Sequence, residues 1–285
     1  MSAALNGKKI SLAVLENLKL ETAALKAQGV EAGLAVIIVG DDPASRVYVD
    51  NKKKDCALVG IRSFEYALPG DTTQEELINL VKDLNAREDI HGIICQLPIP
   101  KHLDEKAVLN TIDPSKDVDA FHPVNVGHIM LGDCLLLPCT PAGIMEMLKT
   151  EGVAIEGKHC VVIGRSNIVG KPMAMLMLKE NATVTLCHSK TINLPQITRQ
   201  ADILVAAVGR AKFVTADMVK EGAVVIDVGM NRDDNGKLCG DVDYEAVSPK
   251  ASLITPVPGG VGPMTRAMLL KNTVTAARRQ NNIFN

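Results

Sequence analysis

Short apolar runs alternate along the chain with segments whose apolar positions recur three and four residues apart. The run GLAVIIVG at 33–40 is apolar throughout, which is typical of a parallel strand covered on both faces. From 11 to 28 leucines recur at helical spacing, and Thr73 with Glu76 forms the signature of a helix-initiating capping box. This alternation predicts parallel sheets with functional groups at the carboxyl ends of their strands.

The same patterns predict elements along the whole chain. Strands are expected at 33–40, 64–68, 92–96, 160–163, 183–187, 203–207 and 224–228. Helices are expected at 11–28, 43–59, 73–85, 105–112, 141–151 and 261–279, and further helices are expected to begin near Gly170, Leu194 and Thr215.

A length of 285 residues is typical of two domains. The segment LLLPCT at 135–140 is the natural crossing between them, and we expect the last helix to return to the first domain. We therefore predict an α/β protein of two α/β domains with a cleft between them. The first domain comprises 1–138 plus 266–285, and the second, a Rossmann-like domain, comprises 139–265.

Composition and charge narrow the classes of protein. Apolar residues make up 47% of the chain and charged residues 22%, which excludes a disordered chain. The 31 basic and 33 acidic residues nearly balance, and the only aromatic residues are four Phe and three Tyr, so a nucleic-acid binder is not expected. The apolar runs are too short for a membrane span, and the N-terminal segment carries charge instead of a signal-peptide apolar block. We expect a soluble, cytoplasmic protein.

The seven cysteines are widely spaced and include no C-x-x-C pair, so neither a disulfide framework nor a zinc site is predicted. Cys95, Cys160 and Cys187 lie in apolar runs, where a reduced cysteine acts as a small hydrophobic residue. His122 and His128 have no carboxylate partner at metal-site spacing, and we predict no bound metal.

A glycine-bounded loop, GRSNIVGKP at 164–172, follows the strand expected at 160–163. Such a loop lets backbone N–H groups approach a pyrophosphate at the start of the next helix, whose first turn accommodates Pro172. Ser166 stands where G-x-G-x-x-G has its middle glycine, and the loop is one residue longer. A plain strand–helix turn is therefore the alternative interpretation.

The end of the next strand indicates which dinucleotide would bind. An NAD site usually has an acidic residue there, which holds the ribose 2′-hydroxyl, but this strand ends in CHSK at 187–190. Arg165, Ser189 and Lys190 instead offer donors and positive charge to a 2′-phosphate. These residues favour NADP over NAD.

A second group of polar residues lies in the first domain. Tyr48 and Lys52 are four residues apart on the helix expected at 43–59, so they share one face. A ring and an amine placed in this way suit stacking on a flat substrate and proton exchange with it. The alternative is that KKK at 52–54 is only a solvated helix face.

Three further segments favour a ligand site over that alternative. Gln96 stands at the carboxyl end of the strand at 92–96, and KDVDAFHP at 116–123 places two carboxylates beside an aromatic ring. The segment TPVPGGVGPMT at 255–265 contains three prolines and three glycines, which fix an unusual backbone path at close approach to a ligand.

Together these segments resemble the bifunctional methylenetetrahydrofolate dehydrogenase/methenyltetrahydrofolate cyclohydrolase family in its compact bacterial form. Any one segment is modest support, but their occurrence in the expected order from about residue 40 to 266 is highly specific. The matching stretches are SRVYVDNKKKDC, GIICQLPIP, KDVDAFHP, PCTPAGI, VVIGRSNIVGKPM, VTLCHSKT, VIDVGMNR and TPVPGGVGPMT.

The resemblance implies two sequential reactions in one-carbon metabolism and purine biosynthesis. A hydride passes from 5,10-methylenetetrahydrofolate to NADP and leaves 5,10-methenyltetrahydrofolate; water then adds to the amidinium carbon, and ring opening gives 10-formyltetrahydrofolate. Hydride transfer needs no protein base, only two rings held in register. The resemblance also implies a folate-binding first domain, a homodimer and tetrahydrofolate derivatives as ligands. Composition and the short apolar runs already exclude nucleic-acid and membrane partners.

The resemblance also assigns roles to single residues. Lys52 matches the general acid/base of hydrolysis, and Gln96 matches the residue that pairs with that lysine and tunes it. Tyr48 matches the ring that stacks on the folate, and Asp119 matches the carboxylate that anchors the pterin edge, where N–H donors suit an acceptor. These four residues are the expected catalytic group. Further substrate-binding residues are expected at Leu97, Pro98, Pro258, Gly259, Gly262 and Pro263. Cofactor-binding residues are expected at Gly164, Arg165, Ser166, Ile168, Ser189 and Met230.

Three residues depart from the usual family pattern. Ala120 stands where a glycine is usual, Met230 replaces a branched aliphatic residue, and Arg266 stands where an apolar residue is common. None removes a chemical group, so we expect effects on rates and affinities, with a shift of the pterin-anchoring loop at Ala120.

Three other functions are weighed against this one. A dehydrogenase without cyclohydrolase activity is disfavoured because Lys52 and Gln96 are retained, and a non-catalytic NADP-binding regulator because Tyr48 and Asp119 are retained as well. A generic NADP oxidoreductase leaves the first-domain motifs unexplained.

Overall fold

The computed structural model describes residues 3–283. The helices are α1 Gly7–Ala27, α2 Pro43–Val59, α3 Gln74–Ala86, α4 Glu105–Thr111, α5 Pro123–Leu131, α6 Cys139–Thr150, α7 Gly170–Lys179, α8 Leu194–Thr198, α9 Tyr244–Val247 and α10 Val261–Gln280, with a 3-10 turn at Ala216–Met218. The strands are β1 Ala3–Ala4, β2 Gly33–Val39, β3 Arg62–Leu68, β4 Gly92–Cys95, β5 His159–Ile163, β6 Thr183–Cys187, β7 Ile203–Ala206, β8 Val224–Asp227, β9 Asn231–Arg232, β10 Leu238–Cys239 and β11 Leu253–Ile254.

The described residues form two compact units. The first unit contains 13–139 and 266–283, and the second contains 3–12 and 140–265. The grouping of residues 3–12 differs from the predicted division, which placed them in the first domain. The physical reason is that β1 pairs in parallel with β11, and the backbone N–H of Leu5 donates to the carbonyl of Ile254 at 2.9 Å. Residues 1, 2, 284 and 285, which the predicted boundaries also include, lie outside the described residues.

The first unit is built on a parallel three-stranded sheet in the order β3–β2–β4. Every residue of β2 is buried, which confirms the prediction of a strand covered on both faces. The capping box at α3 is also confirmed: Thr73 accepts from the backbone N–H of Glu76, whose carboxylate accepts from the backbone N–H of Thr73. Leu77, Val81 and Leu84 of α3 then pack into the aliphatic core beside this sheet.

Helix α2 positions the polar residues of the first unit. It begins after Asp42, whose carboxylate accepts from the backbone N–H of Ser45 at 2.7 Å, and Pro43 occupies its first turn. It ends at Gly60, which has a φ of +80° and therefore adopts the left-handed conformation that glycine tolerates. These local signals are complete in the sequence, and the predicted bounds of 43–59 are confirmed.

The second unit contains a parallel six-stranded sheet in the order β1–β11–β8–β7–β5–β6. Successive strands β5 and β6 are neighbours, but the chain then crosses to β7 on the other side of β5. This reversal places a topological switch point at the carboxyl end of β5, where doubly wound sheets bind their ligands. The loop after β5 is the glycine-bounded loop, so the Rossmann-like arrangement predicted for this unit is confirmed.

Several short elements were absent from the sequence prediction. Strands β1 and β11 have two residues each and exist only through pairing with distant strands, so no local periodicity identifies them. Helix α5 was also missed, although Pro123 at its first position and the ring nitrogen of His122, which accepts from the backbone N–H of Val124, are local signals. Within residues 3–283, no helix has both the length and the apolar character needed to span a membrane.

His91 predicts a pH dependence of folding stability in the first unit. This buried residue accepts a hydrogen bond at Nδ1 from the backbone N–H of Gly33 at 3.1 Å. Burial lowers the pKa of His91 below its ordinary value of 6.5, and Lys116 lowers it further. The neutral ring therefore stabilises the fold above about pH 6.5, and this contribution is lost as the pH falls through the lower pKa of the folded state.

We expect acidification to remove roughly 1–3 kcal/mol, because protonation leaves the buried Gly33 N–H without its acceptor. The measurement is the free energy of unfolding in urea between pH 7.5 and 5 for the wild type and for His91→Gln, whose side-chain oxygen accepts the same bond without titrating. The stability difference between the two proteins should change in favour of the variant as the pH falls. Parallel curves would show that His91 has no such role.

Candidate active site

Lys52 and Gln96 meet at the carboxyl edge of the first-unit sheet. The ammonium Nζ of Lys52 donates to Oε1 of Gln96 at 2.9 Å, across 44 positions of sequence. Gln96 is held from two sides, because its backbone N–H donates to Ile37 at 2.8 Å and its side-chain Nε2 donates to the carbonyl of Leu97 at 2.7 Å. These two bonds orient the amide oxygen towards Lys52.

The three consecutive lysines differ in their environments. Lys52 is half-buried, whereas Lys53 and Lys54 are exposed, and Nζ of Lys53 forms an ion pair with Glu65 at 2.6 Å. The interpretation as a solvated helix face holds for Lys53 and Lys54 but not for Lys52. Tyr48, one turn before Lys52, is 36% exposed, and burial of its ring raises the pKa of its hydroxyl.

Asp119 reaches this cluster because its loop runs along the edge of the sheet. An isolated parallel bridge pairs Asp117 with Ile93 of β4, and the backbone N–H of Ile93 donates to the carbonyl of Lys116 at 2.8 Å. Burial raises the pKa of Asp119, while the Lys52 ammonium and the thiol of Cys139 act in the opposite direction. The Sγ atom of Cys139 lies 3.6 Å from Oδ1 of Asp119.

The backbone after Asp119 explains the departure at Ala120. This alanine is buried and has a φ of +57°, a left-handed conformation that costs an L-residue roughly 1–2 kcal/mol. Asp117 stabilises the turn, because its buried carboxylate accepts from the backbone N–H of His122 and from Nδ2 of Asn125, both at 2.8 Å. The loop thus retains a glycine-like conformation without the glycine.

The remaining substrate-binding predictions fall in two places. Leu97 and Pro98 follow Gln96 and are joined by a cis peptide bond, with Leu97 half-buried and Pro98 exposed. In the first unit, Lys52 thus contacts Gln96 and interacts electrostatically with Asp119, Tyr48 lies one helical turn before Lys52, and the turn at Leu97 and Pro98 follows Gln96. The predicted residues Pro258, Gly259, Gly262 and Pro263 belong to the second unit.

Close backbone approaches fix the segment around Pro258 in the second unit. The Val257–Pro258 bond is cis, Gly259 has a φ of +102°, and the carbonyl of Gly259 accepts from the backbone N–H of Lys8 at 2.9 Å. A Cβ atom at Gly262 would lie 4.0 Å from the sulfur of Met230, so these two predicted residues are neighbours. Met230 is 54% exposed there.

The glycine-bounded loop of the second unit is shaped by two close backbone contacts. A Cβ atom at Gly164 would lie 2.1 Å from the carbonyl oxygen of Ala207, and one at Gly170 would lie 2.0 Å from the carbonyl oxygen of Gly164. The hydroxyl of Ser166 accepts from the backbone N–H groups of Val169 and Gly170, both at 3.2 Å. Ser166, which replaces the middle glycine, thus stabilises the start of α7. The loop at 164–172 has close backbone contacts at Gly164 and Gly170, as a dinucleotide-binding loop requires.

The predicted 2′-phosphate donors lie on adjacent loops. The backbone N–H of Gly164 donates to the carbonyl of Cys187 at 2.9 Å and ties together the ends of β5 and β6. Arg165 follows the first of these strands and Ser189 the second, and both side chains are exposed. Ile168, also exposed, lies in the same loop as Arg165.

Two supporting aspartates were missed by the sequence analysis. Asp241 is fully buried and accepts from the backbone N–H groups of Val208, Gly209 and Arg210 at 2.6, 3.0 and 2.9 Å. Asp227 accepts from three other backbone N–H groups, and burial raises its pKa to about 6. An acidic residue at the end of strand 224–228 was a visible signal for Asp227, but Asp241 has none.

Comparisons with known proteins identify the family. Residues 5–119 match the family model described as tetrahydrofolate dehydrogenase/cyclohydrolase, catalytic domain, and residues 138–281 match its NAD(P)-binding domain. The chain is 62% identical over 276 residues to the Bifunctional protein FolD of Acetivibrio thermocellus. This match covers 97% of each of the two proteins.

Solved structures show the same similarity. The bifunctional FolD methylenetetrahydrofolate dehydrogenase/cyclohydrolase of Campylobacter jejuni superposes with a TM-score of 0.96 at 51% identity, covering 98% of this chain and 99% of that one. The corresponding enzyme of Trypanosoma brucei, complexed with NADP cofactor and inhibitor, gives a TM-score of 0.93 at 42% identity, covering 98% of each chain.

The fold and the two sets of loops define a two-domain α/β protein with parallel sheets and an NAD(P)-binding domain. The chain belongs to the tetrahydrofolate dehydrogenase/cyclohydrolase family. The family resemblance inferred from the sequence motifs is thereby confirmed.

The contact at Gly164 predicts a loss of cofactor binding in Gly164→Ala. The matched control is Gly157→Ala, because Gly157 also has a positive φ (+71°) but has no atom within 4 Å of an added Cβ. Backbone strain of roughly 1–2 kcal/mol is expected in both variants, and the clash with Ala207 adds about 1–3 kcal/mol in Gly164→Ala alone.

Isothermal titration with NADP and urea denaturation measure the two effects. The affinity of Gly164→Ala should fall at least about tenfold, a loss of about 1.4 kcal/mol, while Gly157→Ala retains wild-type affinity. Equal affinities in the two variants would show that close approach at Gly164 is unimportant for the cofactor.

Proposed function

We propose that this protein oxidises 5,10-methylenetetrahydrofolate to 5,10-methenyltetrahydrofolate with NADP and hydrolyses the product to 10-formyltetrahydrofolate. The observation that carries the proposal is the hydrogen bond from Lys52 to Gln96 at the carboxyl edge of a parallel sheet. Membership in a family with both dehydrogenase and cyclohydrolase activities supports the same pair of reactions.

The second unit holds the cofactor in this proposal. The close contacts at Gly164 and Gly170 allow the tight loop whose backbone N–H groups bind the pyrophosphate, and the start of α7 favours negative charge. Arg165 and Ser189 bind the 2′-phosphate, Ser166 and Ile168 complete the cradle, and Met230 lies at the nicotinamide side. When bound, NADP supplies the hydride acceptor. The NADP complex of the Trypanosoma brucei enzyme supports this choice of dinucleotide.

The first unit carries the hydrolytic chemistry. Lys52 exchanges protons with the water that adds to the amidinium carbon and with the nitrogen that departs when the ring opens. Gln96 holds the ammonium in place through its amide oxygen, which is itself oriented by its bond to Leu97. Since the amide is neutral, it orients Lys52 without fixing the proton as a carboxylate would.

Asp119 and Tyr48 bind the folate. The carboxylate of Asp119 accepts hydrogen bonds from the N–H groups of the pterin, and the ring of Tyr48 stacks on the substrate. The turn at Leu97 and Pro98 lines the same site, and Pro258, Gly259, Gly262 and Pro263 are proposed to contribute to the folate pocket. The electrostatic interaction of Asp119 with Lys52 supports one shared site for the binding and proton-transfer residues.

The broader setting is also part of the proposal. We infer a cytoplasmic homodimer whose product, a formyl donor, serves purine biosynthesis. The folate-binding catalytic domain comprises the first unit, and the NADP-binding domain comprises the second. A monofunctional dehydrogenase or a non-catalytic regulator is disfavoured, because the Lys52–Gln96 contact serves neither activity.

The cofactor proposal predicts a strong preference for NADP over NAD. The ratio of kcat/KM for the two dinucleotides with methylenetetrahydrofolate should be at least about tenfold, since one charge-assisted hydrogen bond to a phosphate contributes about 1.5–3 kcal/mol. In Arg165→Gln this ratio should approach one. Lys171→Gln is the matched control, because Lys171 donates to Asn167 at 2.7 Å within the same loop, and it should keep the wild-type ratio. Equal use of both dinucleotides by the wild type would refute the 2′-phosphate site.

The role of Lys52 predicts a selective loss in Lys52→Met. Hydrolysis of methenyltetrahydrofolate, followed by its absorbance, should slow at least about 100-fold, because general acid–base catalysis contributes about 10²–10⁴. Lys53→Met removes a neighbouring charge that is engaged with Glu65 and should hydrolyse at nearly the wild-type rate. Wild-type hydrolysis by Lys52→Met would exclude the proposed acid/base role.

A further inference from the structure

Arg266 of α10 lies beside the face of α2 that carries the proposed catalytic lysine. Its Nε atom is 3.2 Å from Oδ2 of Asp55, and the two side chains are only 29% and 18% exposed. Asp55 follows Lys52 by three residues on α2, and Tyr48 precedes Lys52 by four. Burial raises the pKa of the Tyr48 hydroxyl and the Arg266 guanidinium lowers it, so Arg266 acts on this residue too.

Asp55 is a natural competitor of Gln96 for the Lys52 ammonium. Residues three apart on a helix have Cβ atoms about 5–6 Å from each other, which is within reach of a lysine and an aspartate. A carboxylate also binds an ammonium more strongly than a neutral amide oxygen does. Without another partner, Asp55 would therefore draw Nζ of Lys52 away from Oε1 of Gln96.

The ion pair with Arg266 removes this competition. Burial raises the pKa of Asp55, and the Arg266 guanidinium opposes that rise. The positive charge of Arg266 therefore compensates the cost of burying the Asp55 carboxylate. A guanidinium also stays protonated throughout the working pH range, which makes it a permanent partner. The contact spans 211 positions of sequence, from residue 55 to residue 266.

We propose that Arg266 is a positioning residue for Lys52, because its ion pair with Asp55 leaves the lysine ammonium on Gln96. This inference rests on the proposed cyclohydrolase function, in which Lys52 is the acid/base. This role would explain why an arginine stands at position 266, where an apolar residue is common. Arg266 pairs with Asp55, which lies about one turn after Lys52 on α2.

Other titratable groups act on the same cluster. The Lys52 ammonium opposes the rise that burial causes in the pKa of Asp119, Cys139 and Cys56, and Tyr48 lies one turn away. All of these groups remain in the variants described next. Differences between those variants therefore report on Asp55 and Arg266.

The test is a double-mutant cycle on cyclohydrolase activity. Arg266→Met frees Asp55, so kcat at pH 7 should fall at least about fivefold and the pH of half-maximal activity should rise, because a carboxylate beside the ammonium holds its proton. Asp55→Ala leaves the guanidinium uncompensated near Lys52 and should move that pH in the opposite direction. The double variant should return to within about twofold of the wild-type kcat.

The opposite pH shifts of the two single variants distinguish positioning from a merely structural ion pair, because loss of fold stability alone lowers activity without moving the pH profile. Single variants with the wild-type pH of half-maximal activity would therefore overturn the proposal. Arg46→Met is the matched control, because Arg46 also lies on α2 and forms an ion pair with Glu65 of β3. This variant should leave the pH profile of activity unchanged. Thermal unfolding of each variant verifies that the proteins compared are folded.

A second readout does not depend on activity. The carbon-13 chemical shift of Cε in Lys52, assigned with Lys52→Met, follows the charge of the side chain with pH. Opposite displacements in Arg266→Met and Asp55→Ala, cancelled in the double variant, support the proposal. An inactive wild type with these displacements refutes only the cyclohydrolase function, whereas an active wild type without them refutes only the role of Arg266.

Discussion

The central strands of the six-stranded and the three-stranded parallel sheets are buried, and this constraint determines where polar chemistry lies. The residues of β2, β7 and β8 are buried throughout, so polar groups that meet a ligand are confined to the loops at strand ends. Gln96 follows β4 in one unit, and Gly164 follows β5 in the other. Both proposed sites therefore lie at the carboxyl ends of parallel strands, one for proton transfer and the other for dinucleotide binding.

Buried carboxylates give these loops a defined shape. Asp241 accepts from three backbone N–H groups after β7, and Asp117 stabilises the turn that contains Ala120. Each carboxylate accepts from N–H groups that would otherwise be buried without a partner. An unsatisfied buried N–H group costs roughly 1–3 kcal/mol. The same principle applies to the charges near Lys52, where Arg266 compensates Asp55 and an amide, not a carboxylate, faces the ammonium. Preorganisation thus depends on partners for these buried charges, either several backbone N–H groups or one opposite charge.

Much of the fold follows from local signals, and the departures have identifiable causes. The bounds of α2 follow from Asp42, Pro43 and Gly60, and the start of α3 follows from its capping box at Thr73. The two-residue strands β1 and β11 lack any such signal, because they are defined only by their pairing partners. The grouping of residues 3–12 with the second unit depends on that pairing, which local sequence patterns do not show.

For the site, the sequence by itself determined which residue types were available and which of them share a helix face, since 3.6-residue periodicity places Tyr48 and Lys52 together. It also determined the family, through motifs that occur in a specific order. The resemblance already pointed to Lys52 and Gln96 as a pair, but only the tertiary structure shows the hydrogen bond between them and the ion pair between Arg266 and Asp55. The physical reason is that these contacts join residues far apart in the chain, and their formation depends on how helices pack on the sheet edge, which local periodicity does not encode.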